Sequence, residues 1–555
     1  MTVPFVARHF TYFRNFESVV AAMAERGHRV HLAADREEAL GGRELVDRLA
    51  ARFPDRVTVG FAPILQWGRY RRLSGALRLG LDYLRYSDQR YETTPKIRER
   101  AYERTPFFVL ALARLPFRGL VTRALERLEQ AVPRQKGIDE FVTELNPDVL
   151  LITPLIELGS PQLDYVRAAR ALGIRSALCV WSWDHLSSKA LIRVVPDRVF
   201  VWNDTQRAEA QRFHGIPPEQ VVVTGAQCFD QWFDRRPSRD REAFSGRVGL
   251  RSAEPFLLYV CSALFKGSPS EARFVLDWVA AIRRSPDARL RDIPILVRPH
   301  PQRTEEWQPA DVQAALRADP RVGLWGSNPI DADSRADYFD SMYHASAVIG
   351  LNTSALVESA IVDRPVFTLL LPEFRDSQEG TFHFHHLLTV GDGFLNVSRS
   401  LDEHVAQLAA MLAGGAVRPN RPFVEEFIRP RGTAVAATPV FVESVEAMAG
   451  GTRPRPQRAP AWVLALRPLV YALVLAGRVP GLERIYWNPV KRREWAQNVE
   501  AIWHKDAQRT AKRLDRDARV ARKAPRQLVA WLKTVTKQAL GIRSRRSLDR
   551  PHVHD

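Results

Sequence analysis

The sequence predicts an α/β protein built of two doubly wound domains in series, and three observations carry that prediction. Short runs of β-forming residues alternate with helix-length segments almost from the first residue, the pattern of a parallel sheet with crossover helices. The alternation is interrupted once, by the polar, arginine-rich stretch FDRRPSRDREAFSGR (Phe233 to Arg247), and then resumes. With 555 residues, 45% of them hydrophobic and 26% charged, the chain has the balance of a folded protein and the length for about two to four domains.

The first series of runs is TVPFVA from Thr2, HRVHLAA from His28, RVTVGFAP from Arg56, DVLLITP from Asp148, RSALCVWS from Arg175, DRVFVWN from Asp197 and QVVVTG from Gln220. Between the third and fourth lies an insertion, about residues 66–135, with helical spacing and many Arg, Tyr and Leu, including the apolar run PFFVLALARLPF. It is expected to be a helical excursion packed on the first domain, and its arginine stems and aromatics also suit an acceptor or membrane-surface platform. The second series is FLLYVCS from Phe256, PILVRP from Pro294, RVGLW from Arg321, SAVIGL from Ser346 and PVFTLLL from Pro365. The expected division is residues 1–235, a linker near 235–252, a second domain at 250–450, and a C-terminal tail at 453–555.

Charge supports setting the tail apart. From Arg453 onward there are 24 Lys and Arg against 8 Asp and Glu, while the remainder holds 57 against 55. Cys179, Cys228 and Cys261 are far apart in apolar surroundings, which argues against a disulfide framework or zinc site and fits a reducing cytoplasm. The N-terminal MTVPFVARHF lacks a basic region followed by an apolar run, so no secretory signal is expected. Ala461 to Gly477 is apolar but short for a membrane span and broken by Arg467 and Pro468, so an interfacial or packed helix is expected.

Two motifs sit where such sheets bind ligands, beyond the carboxyl ends of strands. In LNTSALVESAIVDRPVF (Leu351 to Phe367) a carboxylate, Glu358, interrupts an apolar segment. Asn352, Thr353 and Ser354 would cap a helix whose N-terminal amides could hold phosphate oxygens. Glu358, one turn after Ser354 on the same face, could accept hydrogen bonds from ribose hydroxyls. In VRPHP (Val297 to Pro301), Arg298 and His300 end a strand as two potential cations suited to a diphosphate leaving group.

The first domain would hold an acceptor and a general base. His9, in the loop after the first strand, is one candidate, because a histidine titrates near neutrality. The polar, aromatic loop VWSWDHLSSKALI supplies Asp184 and His185 as the others. His383, His385 and His386 in EGTFHFHHLL would place two imidazoles on one side of an extended run; lacking further ligands nearby, contact with donor or acceptor is expected in preference to metal.

The HP motif after a strand, followed by a later strand, a Ser/Thr-rich turn and ESAIVDRPV, resembles the donor half of two-domain glycosyltransferases of the GT-B fold, with two Rossmann-like domains facing a cleft. The resemblance is to the bacterial branch that includes capsule and teichoic-acid polymerases, with UDP-N-acetylglucosamine 2-epimerases as structural cousins, and spans about residues 140–450. It implies that His300 and the Thr353 and Ser354 hydroxyls contact donor phosphates, that Glu358 holds the ribose, and that no cofactor or metal is needed beyond a nucleotide-activated donor as substrate. The turn LNTS lacks the glycine pair of many such transferases, and no dinucleotide fingerprint or phosphate-binding GKS/T loop is present, which argues against NAD and ATP chemistry.

The tail mixes Lys and Arg with Trp487, Trp495, Trp503 and Trp531, which suits attraction to an anionic membrane surface more than a nucleic acid, since nothing in the body reads bases. The expected activity is transfer of a sugar to a cell-envelope glycan or lipid-linked acceptor by a cytoplasmic enzyme peripheral to the inner membrane. The alternatives are a CDP-glycerol-type polyol-phosphate transferase and a non-catalytic nucleotide-binding scaffold.

Overall fold

The computed structural model describes residues 1–37, 41–63, 69–250, 254–326, 328–457 and 459–497. Two all-parallel sheets organise them. The first contains β1 (Thr2–His9), β2 (Arg29–Arg36), β3 (Val57–Phe61), β4 (Val149–Thr153), β5 (Arg175–Cys179), β6 (Arg198–Val201) and β7 (Val221–Val223), in the order β3-β2-β1-β4-β5-β6-β7. The second contains β8 (Phe256–Val260), β9 (Ile295–Arg298), β10 (Val322–Leu324), β11 (Ala345–Gly350), β12 (Val366–Leu369) and β13 (Leu395–Ser398), in the order β10-β9-β8-β11-β12-β13. In each, the chain winds outward one way and then the other, so the direction reverses beside the central strand: between β1 and β4, and between β8 and β11.

Burial explains the composition of the strands. Every residue of β4 (VLLIT) and β8 (FLLYV) is buried, because helices cover both faces of a parallel sheet and leave no polar side to alternate with. Among the described residues, the one strand absent from the sequence reading is β13, LNVS, whose two middle residues are only half-buried; at a sheet edge, short and half polar, it lacks the apolar run that marks the others.

The boundary at residue 450 needs correcting. The helix Ala437–Ala449 leaves the second domain and packs on the first, adding Phe441, Val442, Val445 and Met448 to the core around Phe16, Val20 and Phe200. Each such side chain is worth roughly 1.5–3 kcal/mol of burial. Asp230, on the first domain, receives the start of this helix: its carboxylate accepts the Ala437 and Thr438 amides at 2.9 and 2.7 Å and pairs with Arg429 at 3.1 Å. Gly225 lets the chains meet, since a Cβ there would lie 2.7 Å from that of Ala437.

The insertion is helical as expected, with helices Arg71–Tyr86, Pro95–Arg104, Phe107–Ala113 and Arg118–Ala131. A buried ion cluster ties it to the first domain: the Arg78 guanidinium meets Glu129 at 2.9 Å and Asp164 at 2.7 Å. The tail expected from residue 453 does not begin there. Helix Ala461–Ala476 packs on the insertion through Val463, Val470 and Val474, and Trp487, read in sequence as a lipid-facing aromatic, is buried. The described residues from Asn488, with the helix Pro489–Gln497, belong to a separate unit; Trp503 and Trp531 lie outside the described residues. Among the described residues no helix is long and apolar enough to cross a membrane.

Candidate functional site

At the reversal point of the second sheet, the loops after β8, β9 and β11 lie side by side. The Asn352 amide donates to Ser262 Oγ at 3.0 Å, joining the β11 loop to the β8 loop, and Asn352 Nδ2 donates to the Ser377 carbonyl. Thr353 is the N-cap of helix Ser354–Ile361, its hydroxyl 3.5 Å from the Ala355 amide, and Ser354 is exposed. The other helix starting at this point, Glu271–Arg283, has its N-terminus occupied: Glu306 Oε2 accepts the Glu271 and Ala272 amides at 2.9 and 3.3 Å. No carboxylate lies in that way across the start of Ser354–Ile361 among the described residues, so its dipole is the one available to an anion.

His300 and Arg298 depart from the expectation of two projecting cations. His300 Nδ1 accepts the Gln302 amide at 3.2 Å, which leaves the ring proton on Nε2 as a donor. Burial, and then the neighbouring Arg303, lower its pKa to about 4, so it offers a neutral hydrogen bond. Arg298 is buried, with its guanidinium 4.7 Å above the Tyr338 ring and packed against Gly326, where a Cβ would come within 2.9 Å of its Cζ. Tyr338 in turn donates its hydroxyl to Glu358. Burial raises the Glu358 carboxyl, opposed by the Tyr338 hydrogen bond and by Arg14 and Arg298. Arg14 comes from the 3₁₀ turn Phe10–Phe16 of the first domain and is exposed. An exposed positive charge at this edge is therefore Arg14, which the sequence reading passed over.

Facing it, the reversal point of the first sheet gathers a second cluster. Arg8 and His9 end β1, Asp35 stands near the end of β2, Glu157 follows β4, and Trp181 follows β5. Arg8 bridges the two acids, 3.5 Å from Asp35 and 3.3 Å from Glu157, and the Tyr12 hydroxyl donates to Glu157 at 3.0 Å. Tyr12 packs its ring against His9, tilted, at 4.3 Å and meets Trp181 edge-on at 5.1 Å. The Asp35 side chain is only 7% exposed, with the Arg8 guanidinium and the buried Tyr165 hydroxyl beside it. Burial raises its pKa to about 7, Glu157 adding to the rise and Arg8 opposing it. His9 moves the other way, to about 4, through burial and the charges of Arg36, Arg8 and Arg14. The near-neutral pKa expected of His9 thus belongs to Asp35, one strand away. Neither Asp35 nor Glu157 was singled out in the sequence, although each is an acid just after an apolar strand run, the same signal that exposes His300.

The Asp184 and His185 loop has a different character from the one expected. His185 is buried, with Nε2 at 2.8 Å from the Pro154 carbonyl and Nδ1 accepting the Trp181 amide at 3.4 Å. Both ring nitrogens are committed and burial lowers its pKa to about 3, so it is a core histidine that braces the turn. Asp184 accepts from Ser182 and Ser188 at 2.6 and 2.8 Å and pairs with Lys189 at 3.0 Å. Burial alone would raise this carboxyl, but Lys189, His383 and Ser182 hold it far below the usual range; it is a fixed anion, not a base. The loop does reach the second domain: the Trp183 and His383 rings meet edge-on at 4.8 Å, and His383 lies 3.5 Å from Asn352 Nδ2. The three histidines fall on a helix, Phe382–Thr389, and part company there: His385 bonds to the Glu379 carbonyl and His386 to Glu209, each at 2.8 Å.

No family model matches the chain and no curated protein matches it. Solved structures do. The UDP-GlcNAc 2-epimerase from Methanocaldococcus jannaschii covers 80% of this chain and 100% of its own at 10% identity and a TM-score of 0.47. A glycosyltransferase from Rickettsia africae ESF-5 covers 81% of this chain and 99% of its own, also at 10% identity and 0.47. Alr3699/HepE from Anabaena, in complex with UDP, covers 80% and 100% at 11% identity and 0.46. At such identities and scores, what those proteins bind or catalyse is a property of theirs; here the two-sheet α/β architecture rests on the strand order above.

Proposed function

We propose that this chain transfers a glycosyl group from a nucleotide-activated donor, held at the carboxyl edge of the second sheet, to a cell-envelope glycan or lipid-linked acceptor at that of the first. The observation that carries the reading is the pairing of unlike chemistries at the two reversal points. One offers an open helix N-terminus, the Asn352, Thr353 and Ser354 polar groups, the neutral donor His300 and the Arg14 cation, all suited to a diphosphate. The other offers a carboxyl poised near neutrality beside an aromatic wall of Tyr12 and Trp181. In the transfer, the acceptor oxygen bonds to the anomeric carbon, the bond from that carbon to the phosphate oxygen breaks, and the nucleoside diphosphate leaves with the electron pair. The acceptor proton goes to Asp35, in preference to His9, because a base with a pKa near the working pH combines ionisation with affinity for the proton. Glu358, steadied by Tyr338, keeps lone pairs for the ribose hydroxyls.

The test is thermal stabilisation by UDP, CDP, CMP, GDP and ADP on the parent, His300→Ala and Glu358→Gln, since a ligand that binds only the folded state raises the melting temperature. One nucleotide should stabilise the parent, and both variants should lose most of that shift. A parent indifferent to every nucleotide, or variants that respond as the parent does, would remove the donor site and with it the transferase reading.

A further inference from the structure

We propose that helices Phe107–Ala113, Arg118–Ala131 and Ala461–Ala476 form a docking face for an anionic lipid bilayer. The proposal rests on the lipid-linked-acceptor part of the reading above, and its test reads lipid binding, not turnover.

Three observations converge on this face. Among the described residues, every large apolar side chain that stands exposed, apart from Phe61 and Val435, belongs to the insertion or to residues 461–482, with Phe117 at 65% and Leu120 at 62% the most exposed. Helix Ala461–Ala476 explains much of this. One side buries Val463, Val470 and Val474 against the insertion, while Trp462, Ala465, Leu469, Ala472, Leu475 and Val479 recur at three- and four-residue spacing and are all exposed. A helix seated on a protein in water carries polar residues on its outer side; this one carries an apolar stripe there, and Arg467 is the only charged residue in its sixteen.

Charge selects the occupant. Arg114, Arg118, Arg123 and Arg127 are exposed beside Phe117 and Leu120, and Glu126 is the only acid between residues 105 and 128. The Arg127 guanidinium lies 5.9 Å over the Trp462 ring, so basic fringe and apolar stripe are one surface. Apolar side chains flanked by arginines, with acids nearly absent, complement acyl chains beneath anionic headgroups. The stripe is too short and too interrupted to cross, so the face lies on the bilayer. The insertion also touches the strand-end loops: Arg100 donates to the Ser188 carbonyl at 2.7 Å and Tyr91 packs against Phe382 at 5.8 Å. A docked face would thereby set the acceptor edge close to the headgroups.

Flotation of the full chain with vesicles of phosphatidylcholine alone, and with added phosphatidylglycerol, tests this. The parent should float with the anionic vesicles and retain part of that binding when salt is raised, because apolar insertion is not screened. Phe117→Glu with Leu120→Glu, and separately Leu469→Glu with Leu475→Glu, should each cut the bound fraction roughly tenfold without lowering the melting temperature, and should leave any nucleotide-induced shift unchanged. Variants that float like the parent, or parent binding abolished by salt, would assign the attraction to the C-terminal charge and overturn the proposal. A parent that dimerises through this face and ignores lipid would overturn it too. As a check independent of the glutamates, a polarity-sensitive dye on Phe117→Cys should shift to the blue with anionic vesicles; an unchanged spectrum counts against insertion.

Discussion

Asp35 and His9 stand on neighbouring strands, and burial drives both toward the uncharged form, which raises one pKa and lowers the other. The consequence for Asp35 can be measured. In the unfolded chain an aspartic acid titrates near 3.8, and burial in the fold raises this one to about 7. Between those values the unfolded chain sheds a proton that the fold keeps, so the stability this group contributes is whole below the unfolded pKa and is lost as the pH rises through the folded one. Asp35→Asn removes the titration. Relative to the parent, the variant should gain stability from about pH 4 to about pH 7 and then level, by at most about 4 kcal/mol; urea midpoints across that window decide it, and a flat difference would mean Asp35 is not raised. If Asp35 takes the acceptor proton, kcat/KM rises through its folded-state pKa in the parent, and the Asn variant loses that limb.

At the scale of elements, the insertion is held by charge in its interior as well as by its apolar face. Arg78 is 2% exposed and serves two carboxylates at once, with Arg167 also bonded to Glu129. Removing one partner of such a group leaves the others uncompensated. Arg78→Met should therefore destabilise by roughly 3–5 kcal/mol, and hydrogen exchange should locate the loss in Arg71–Tyr86 and Arg118–Ala131. Loss confined to the second sheet would mean the cluster does not hold the insertion. The His185 turn makes the complementary point: a histidine in a dense polar loop looks catalytic in sequence, yet with both nitrogens bonded it serves the packing of that loop.

For the whole molecule, the returning helix Ala437–Ala449 joins the end of the second domain to the core of the first, so the two are not independent along the chain. Phe441→Ala should cost roughly 3–5 kcal/mol, and the loss of hydrogen-exchange protection should appear in Thr2–Glu25, far away in sequence; protection lost only between residues 250 and 436 would contradict the packing described. The sequence by itself determined twelve of the thirteen strands among the described residues, the break between the two series near residue 240 and the polar loops at strand ends, because those depend on local apolar runs and their punctuation. It also marked Asn352, Thr353, Ser354 and Glu358, since a cap and a helical turn are local. The tertiary structure alone decided which strand lies beside which, that Asp35 shares a site with Glu157 and Tyr12, that His300 is neutral and Arg298 buried, and that residues 461–476 cover the insertion. Those are matters of burial and of neighbours distant in sequence, and neither desolvation nor a long-range contact leaves a local trace in the order of residues.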